Sequence, residues 1–159
     1  MRAYVFCSSR TGNTQLLADL IEDACRDRLV PSADEAEVVF LGSWTNRGQM
    51  DEKAQEVAKS LHGKKVFLFG TCGFGSDDYY DKLYQRAAEL LDDSNEIIGH
   101  FYCQGKMPLE VRARYVEMLR MHPEDQMLQV SVRNYDAAAC HPNREDGEAL
   151  KAALAALDL

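Results

Sequence analysis

The residues best suited to bind an anion lie near the start of the chain, in the segment Ser8-Ser9-Arg10-Thr11-Gly12-Asn13-Thr14. The apolar run 3–7 precedes this segment and a helical pattern follows it, so we predict a turn that joins a strand to a helix N-terminus. The free N–H groups and partial positive charge of a helix N-terminus suit a phosphate. Gly12 lets the backbone approach an anion, and hydroxyl groups add donors.

The alternative for the same segment is an ordinary strand-to-helix turn with a good N-cap. The segment lacks the lysine of a Walker loop and the three glycines of a dinucleotide-binding fingerprint. Hydroxyl groups without an obligatory cation fit a phosphomonoester that stays bound better than a triphosphate that is cleaved. The residue types at 8–14 therefore leave two interpretations open, an ordinary turn and a phosphomonoester site.

Two loops farther along the chain carry aromatic side chains among polar residues and glycines. The predicted loop 43–50 contains Trp44, the only tryptophan. The predicted loop 70–80 contains three glycines around Phe74, and such a loop folds tightly and can lie against a flat ligand. Burial in a core is less natural for an aromatic in a polar, glycine-bearing loop, so we favour a ligand site for Trp44 and Phe74.

The elements that would position these loops alternate along the chain. Continuous apolar runs, which are typical of buried parallel strands, occur at 3–7, 36–42, 66–69 and 97–103. Helical apolar spacing occurs at 14–28, 51–61, 80–91, 108–122 and 146–157. Asp51 is the predicted cap of the second of these helices, and the predicted apolar face of the fourth consists of Val111, Tyr115, Met118 and Leu119. Alternating strands and helices predict an α/β fold with a doubly wound parallel sheet covered by helices on both faces.

Two segments do not fit this regular pattern. Very little chain separates the first helix from the run 36–42, so the second strand of the sheet is predicted to be short or vestigial, at Leu29-Val30. Residues 126–140 are ambiguous, and a short strand or a loop is expected there.

In open sheets of this class, ligands bind beyond the carboxyl ends of the strands, so we predict one site that combines the loops described above.

Length, composition and charge exclude several classes of protein. The 159 residues suffice for one domain with a sizeable core. The net charge of −8 argues against nucleic acid as a partner, and no apolar run is long enough for insertion into a membrane. The first strand begins at once, which leaves no room for a signal peptide, so a cytoplasmic protein is expected.

The side chains that could catalyse reactions or bind metals are dispersed. The five cysteines show no Cys-x-x-Cys spacing, which makes a zinc site or a disulfide framework improbable. No acid–base pair and no nucleophile with an adjacent base is evident in the sequence. We therefore assign no catalytic residue and no metal site.

Three parts of the sequence resemble the flavodoxin family. Residues 9–14 are similar to its FMN-phosphate loop, T/S-x-T-G-x-T, and residues 64–75 are similar to its fourth strand and the flavin loop that follows. Residues 43–48 stand where the other flavin loop is expected. The stretches 41–44 and 101–107 resemble a short bacterial subfamily that includes flavodoxin-like partners of bilirubin reductase.

This resemblance implies a flavodoxin-like three-layer sandwich with FMN as the cofactor. It implies a single domain, residues 1–159, with an insertion at about 104–140. The flavin ring would lie between Trp44 and one of Phe74, Tyr79 or Tyr80. The implied cofactor-binding residues are Ser8, Ser9, Arg10, Thr11, Gly12, Asn13, Thr14, Trp44, Thr45, Asn46, Thr71, Cys72, Gly73, Phe74, Gly75, Tyr79, Gln104 and Gly105.

The function expected from the resemblance is FMN-dependent electron transfer between a reductase and an acceptor enzyme, with both redox partners being proteins. Acidic residues such as Asp77 and Asp78 would lower the flavin potential or serve only for docking. One alternative is an FMN-dependent reductase of a small substrate, with the segment 104–140 folded over the ring as a lid. The other is a flavin-free interaction module that retains the fold.

Overall fold

The computed structural model describes all residues from Met1 to Leu159 and contains one central sheet flanked by helices. The strands are β1 (Ala3–Ser8), β2 (Val38–Asn46), β3 (Gln49–Met50), β4 (Lys65–Cys72) and β5 (Glu96–Gln104). The helices are α1 (Asn13–Ala24), α2 (Glu52–Ser60), α3 (Asp77–Glu89), α4 (Leu109–Met121), α5 (Gln126–Ala138) and α6 (Arg144–Ala155). Strands β1, β2, β4 and β5 are parallel and adjacent in that order.

Each face of the sheet has its own apolar core because successive side chains of a strand point to opposite faces. On one face, Phe40 and Phe67 pack with side chains of α1 and α6. On the other face, Val39 and Leu68 pack with side chains of α2 and α3. These two layers of helices around a parallel sheet confirm the predicted doubly wound, three-layer α/β fold.

The strand predicted between α1 and β2 is reduced to one residue pair. Leu29 forms an isolated parallel bridge with Ala3, and the Val30 N–H donates to the Ala3 carbonyl oxygen at 2.9 Å. The predicted vestigial strand at Leu29-Val30 is confirmed. The first helix is shorter than predicted: α1 ends at Ala24, and a single 3₁₀ turn at 26–28 brings Leu29 beside β1.

The predicted loop 43–50 is a strand and a hairpin rather than an irregular loop. Strand β2 continues to Asn46 because β4 pairs with it as far as Trp44 and Thr71, and β3 returns antiparallel to it. The two residues between β2 and β3, Arg47 and Gly48, have φ values of 53° and 81°. Positive φ at both central residues is the requirement of a type I′ hairpin turn.

Residues 126–140 were expected to form a short strand or a loop, and this expectation is wrong. They form helix α5, whose N-cap Asp125 accepts a hydrogen bond from the Leu128 N–H at 3.1 Å. The buried residues Leu128, Tyr135 and Ala138 lie on one face of this helix. Their spacing of seven and three residues is helical; the apolar residues between them had masked that period.

Helices α4 and α5 form a helical hairpin after β5, at the carboxyl edge of the sheet. The Arg112 guanidinium on α4 bridges both carboxylate oxygens of Asp136 on α5, at 2.8 and 3.2 Å. Helix α4 has no buried residue, in contrast to every other α-helix of the chain. None of the helices is both long and apolar enough to cross a membrane.

Candidate functional site

The loops that follow β1, β2, β4 and β5 are joined by hydrogen bonds at the carboxyl edge of the sheet. The hydroxyl groups of Thr14 and Thr71 share a hydrogen bond of 2.8 Å, and both residues are buried. The Thr45 hydroxyl donates to the Thr71 carbonyl oxygen at 2.8 Å. The Asn13 side-chain amide donates to the Lys106 carbonyl oxygen at 2.8 Å. Four loops that are distant in sequence therefore meet at one place.

The segment 8–14 forms a tight turn into the N-terminus of α1. Gly12, the N-cap residue, has a φ of 93°, a left-handed conformation that favours glycine. The Ser9 hydroxyl oxygen accepts hydrogen bonds from the N–H groups of Gly12 at 3.1 Å and Gln15 at 3.4 Å. The N–H groups of the first turn of α1 have no acceptor within the helix. The turn therefore combines backbone donors, hydroxyl groups and the positive end of a helix dipole.

Glycine is also required where the loop after β5 meets this turn. A Cβ atom at Gly105 would lie 2.7 Å from the side-chain nitrogen of Asn13. The Gly105 N–H donates to the Cys72 carbonyl oxygen at 2.9 Å. Gly105 thus lies between the anion-binding turn and the end of β4, and a larger residue would separate them.

Asp51 organises the aromatic side of the site, and sequence reasoning identified it only as a helix cap. Its carboxylate caps α2 through the Ala54 N–H at 3.0 Å. It also accepts from the Ser8 hydroxyl at 2.5 Å and from the Trp44 indole N–H at 3.3 Å. The Arg10 guanidinium lies 5.5 Å from the centre of the Trp44 ring, within the range of a cation–π interaction. Trp44 is therefore held in one orientation from two directions.

A cavity of about 310 Å³ opens between these loops. Eleven of the residues predicted from the sequence line it: Ser9, Arg10, Thr11, Asn13, Thr14, Trp44, Thr45, Thr71, Cys72, Gly73 and Gly105. The other seven predicted residues do not line the cavity: Ser8, Gly12, Asn46, Phe74, Gly75, Tyr79 and Gln104. Ser8 is engaged by Asp51, and Gly12 contributes its backbone conformation to the turn.

The predicted aromatic residues after β4 are not part of the cavity wall. Phe74 is 48% exposed and packs edge-on against Tyr79, with ring centres 5.6 Å apart. The Gln104 side chain occupies the space beside Gly75 where a Cβ atom would project. Its amide also donates to the Gly73 carbonyl oxygen at 3.3 Å. The Gln104 side chain thus makes polar contacts with the loop after β4, from which an aromatic wall was expected.

Sequence reasoning missed the wall of the cavity that comes from the segment after β5. This wall consists of Lys106, Met107, Pro108, Val111, Arg114 and Tyr115. Val111 and Tyr115 belong to the predicted apolar face of α4, so the helical spacing was a signal, but it indicated packing on a core. In the structure this face borders the cavity instead.

The charges at the cavity are positive although the chain is acidic. Arg10, Lys106 and Arg114 line the cavity, and none of them forms a salt bridge. Asp77 and Asp78 lie exposed in the first turn of α3, outside the cavity.

Burial raises the pKa of the Cys72 thiol to about 12, so this cavity residue stays protonated at physiological pH.

The residues present fit the parts of FMN. The turn 9–14 supplies donors for a phosphate, and Trp44 supplies a flat apolar surface for a ring. At Gly73 and Gly105 the absence of a Cβ atom lets Met107 and Asn13, respectively, pack closely against the backbone of the cavity wall. The cavity volume lies at the lower end of the range of ligand pockets, about 300–1,000 Å³. The cavity therefore has the size of a ligand-binding pocket.

Comparison with known proteins gives a consistent assignment. Residues 4–155 match the flavodoxin domain family. The chain is 36% identical to the flavodoxin-like domain-containing protein BilS of Clostridium symbiosum and 31% identical to that of Clostridioides difficile; each alignment covers 92% of this chain and 90% of the relative.

Among solved structures, the flavodoxin WrbA-like protein of Agrobacterium tumefaciens matches with a TM-score of 0.51 at 10% identity. This match covers 96% of this chain and 98% of that protein, and it supports the fold alone. With residues 4–155 matched and two relatives above 30% identity, this chain belongs to the flavodoxin family, with that family's electron-transfer fold and FMN as its cofactor.

Proposed function

We propose that this protein is an FMN-dependent electron carrier that exchanges electrons between a reductase and an acceptor enzyme. The observation that carries the proposal is the cavity at the carboxyl edge of the sheet. The anion-binding turn 9–14 and the fixed indole of Trp44 both line this cavity. When bound, FMN supplies the redox chemistry, because it accepts and donates electrons singly or in pairs.

The proposed role of the turn 9–14 is to hold the phosphate. In the structure the Ser9 hydroxyl accepts the Gly12 and Gln15 N–H groups, which is the role a phosphate oxygen would take. The hydroxyl groups of Thr11 and Thr14 would add donors. Thr14 also bonds to Thr71, so the phosphate turn and the end of β4 would be held at a constant separation.

The proposed role of the strand ends is to orient the ring and to limit its solvation. Trp44, fixed by Asp51, would contact one face of the ring. Backbone groups of Thr71, Gly73 and Gly105 would reach its polar edge. A carrier of this kind needs no acid–base group of its own, since the partners supply and remove the electrons.

A second candidate function is an FMN-dependent reductase of a small substrate, and one observation favours it. Helix α4 borders the cavity through Val111, Arg114 and Tyr115, as expected for the lid in that alternative. Steady-state turnover with small quinones or dyes against reoxidation by a protein acceptor would distinguish the two functions.

We expect the partners to be proteins with basic docking surfaces, because the chain carries a net charge of −8. Association steered by opposite charges is fast and slows as salt screens them. The test measures flavin reduction by a candidate reductase across ionic strength. A flat profile would contradict charge-driven docking and would favour an apolar contact or the small-substrate reductase.

The five free cysteines are compatible with our proposal of a cytoplasmic location.

The experiment that tests the proposal first is spectroscopic. Protein purified without added flavin, or apoprotein mixed with FMN, should be yellow and should release one FMN per chain on denaturation. A preparation that is colourless and binds no added FMN would overturn the proposal and favour a flavin-free interaction module.

A further inference from the structure

The residues that line the cavity come from two parts of the fold. One part, here called the strand side, lies at the strand ends and includes Trp44, and the other, the helical side, consists of Met107, Pro108 and the first turns of α4. Trp44 and Tyr115 are the only aromatic residues that line the cavity. The residues expected to form the second aromatic wall, Phe74, Tyr79 and Tyr80, all lie outside it.

Helix α4 presents an apolar face that the protein core does not cover. The helix has no buried residue, yet Val111 and Tyr115 follow one another at a spacing of four on its cavity side. Tyr115 is half-buried. A surface helix typically turns its apolar face toward a packing partner.

Helix α5 fixes this wall to the cavity. The Tyr135 hydroxyl donates to the Met107 carbonyl oxygen at 3.1 Å, which sets the start of α4. The Asn134 amide donates to the Gly73 carbonyl oxygen at 2.8 Å, which ties α5 to the loop after β4. The Met107 side chain fills the space beside Gly73 where a Cβ atom would project. Contacts with α5 and with Gly73 therefore hold this part of the cavity wall in place.

We propose that Tyr115 on α4 is the second aromatic contact of the flavin ring, opposite Trp44, in place of an aromatic residue from the loop after β4. This inference rests on the proposed binding of FMN. The apolar face of α4 would be covered by the ring, and the ring would be enclosed between a strand end and a helix of the segment after β5. Only an edge of the ring would then be open to a redox partner.

The test is a titration of the apoprotein with FMN and, separately, with riboflavin, which has the same ring without the phosphate. Tyr115→Ala should weaken the binding of both ligands by about tenfold, since it removes the ring contact and not the phosphate contact. Tyr115→Phe should retain the wild-type affinity for both. Tyr79→Ala, a tyrosine outside the cavity, is the matched control and should also retain it.

The wild-type protein provides a second measurement that does not depend on the folding of a variant. Hydrogen exchange of the amides in 109–121 should slow when FMN binds, together with exchange in 9–16. Unchanged exchange in α4 beside clear protection of 9–16 would overturn the role of α4. Loss of affinity in Tyr79→Ala with none in Tyr115→Ala would also overturn it. Both outcomes leave FMN binding intact and so differ from a wild-type protein that binds no FMN.

Discussion

The two sides of the cavity differ in how firmly the rest of the molecule determines them. On the strand side, Thr14 and Thr71 are buried and joined to each other, and Asp51 connects Ser8, Trp44 and α2. On the helical side, α4 has no buried residue. Its Arg112 donates hydrogen bonds to Asp136 of α5, and Asn134 of α5 donates in turn to the Gly73 carbonyl oxygen. Changes on the strand side should therefore cost stability as well as cofactor affinity, whereas changes on the helical side should mainly alter what binds.

Charge and polarity separate the two regions as well. Residues 106–138 contain five basic and five acidic side chains, so the net charge of −8 resides in the rest of the chain. Six of the ten exposed large hydrophobic side chains lie on the α4–α5 hairpin: Leu109, Val116, Met118, Met121, Met127 and Val130. The α4–α5 hairpin is therefore neutral overall and exposes apolar side chains, whereas the rest of the chain is acidic.

The largest effect is expected at Asp51. Asp51→Ala removes the cap of α2 and leaves the Ser8 hydroxyl and the Trp44 N–H without their acceptor. We expect a loss of about 2–4 kcal/mol in the free energy of unfolding, measured with urea, together with weaker FMN binding. The matched control is Asp125→Ala, which removes the cap of α5 alone.

The control should cost about 1 kcal/mol and leave FMN affinity within twofold of wild type. Equal losses of stability in Asp51→Ala and Asp125→Ala would remove the proposed difference between the two regions.

Trp44 should show the next largest effect. Trp44→Ala should weaken FMN binding by about 1–3 kcal/mol, because it removes an apolar contact with the ring. In the wild type, FMN should quench the emission of this single tryptophan with one-to-one stoichiometry. An unchanged FMN affinity in Trp44→Ala would place the indole outside the ring contact.

A smaller effect is expected from cutting the connection between the hairpin and the loop after β4. Asn134→Ala removes the hydrogen bond to the Gly73 carbonyl oxygen and should weaken FMN binding by about 1 kcal/mol. Amide exchange in 109–121 should become faster. The exposed neighbour Arg133 offers the control, and Arg133→Ala should leave both measurements unchanged; equal behaviour of the two variants would mean that the hairpin is held by other contacts.

Chemical modification of the cysteine thiols should show the difference between the two regions in the wild-type protein. Burial raises the pKa of the Cys72 thiol to about 12, so its reactive thiolate is scarce below about pH 11. Cys140, at the C-terminal end of the hairpin, is exposed. Iodoacetamide at pH 8 should modify Cys140 first and Cys72 only on unfolding, as read by mass spectrometry; rapid modification of Cys72 in the folded protein would contradict its burial.

The smallest effect is expected at Asp77. Because Asp77 lies exposed at the start of α3 and outside the cavity, solvent should screen its charge from the flavin. Asp77→Asn should leave the midpoint potential unchanged within experimental error, while Arg114→Gln should lower it by removing a positive charge that lines the cavity. A clear rise in potential for Asp77→Asn would restore tuning by acidic residues.

The sequence predicted the strand side well because its signals are local. A turn such as 9–14 is recognisable from residue types and from the strand and helix that flank it. Trp44 was assigned to the ligand site because its predicted loop is polar and contains glycine, although β2 extends through it. Asp51 was recognised as a helix cap, and its second role depends on side chains 7 and 43 residues away.

The helical side could not be predicted because it depends on contacts between distant residues. Gln104 and Asn134 hold the Gly73 carbonyl oxygen across 31 and 61 residues of sequence. These contacts leave Phe74 and Tyr79 outside the cavity. The spacing of Val111 and Tyr115 indicated an apolar face on α4, but a sequence pattern does not say whether such a face packs on a core or borders a cavity.

The central claim is that the turn 9–14 binds the phosphate of FMN, and the most direct measurement compares FMN with riboflavin on the apoprotein. Several hydrogen bonds to a charged phosphate, each contributing about 1.5–3 kcal/mol, predict an affinity for FMN at least about a hundredfold higher than for riboflavin. Thr11→Ala should reduce the affinity for FMN and leave that for riboflavin unchanged. Equal affinities of the wild type for the two flavins would contradict a phosphate site at this turn.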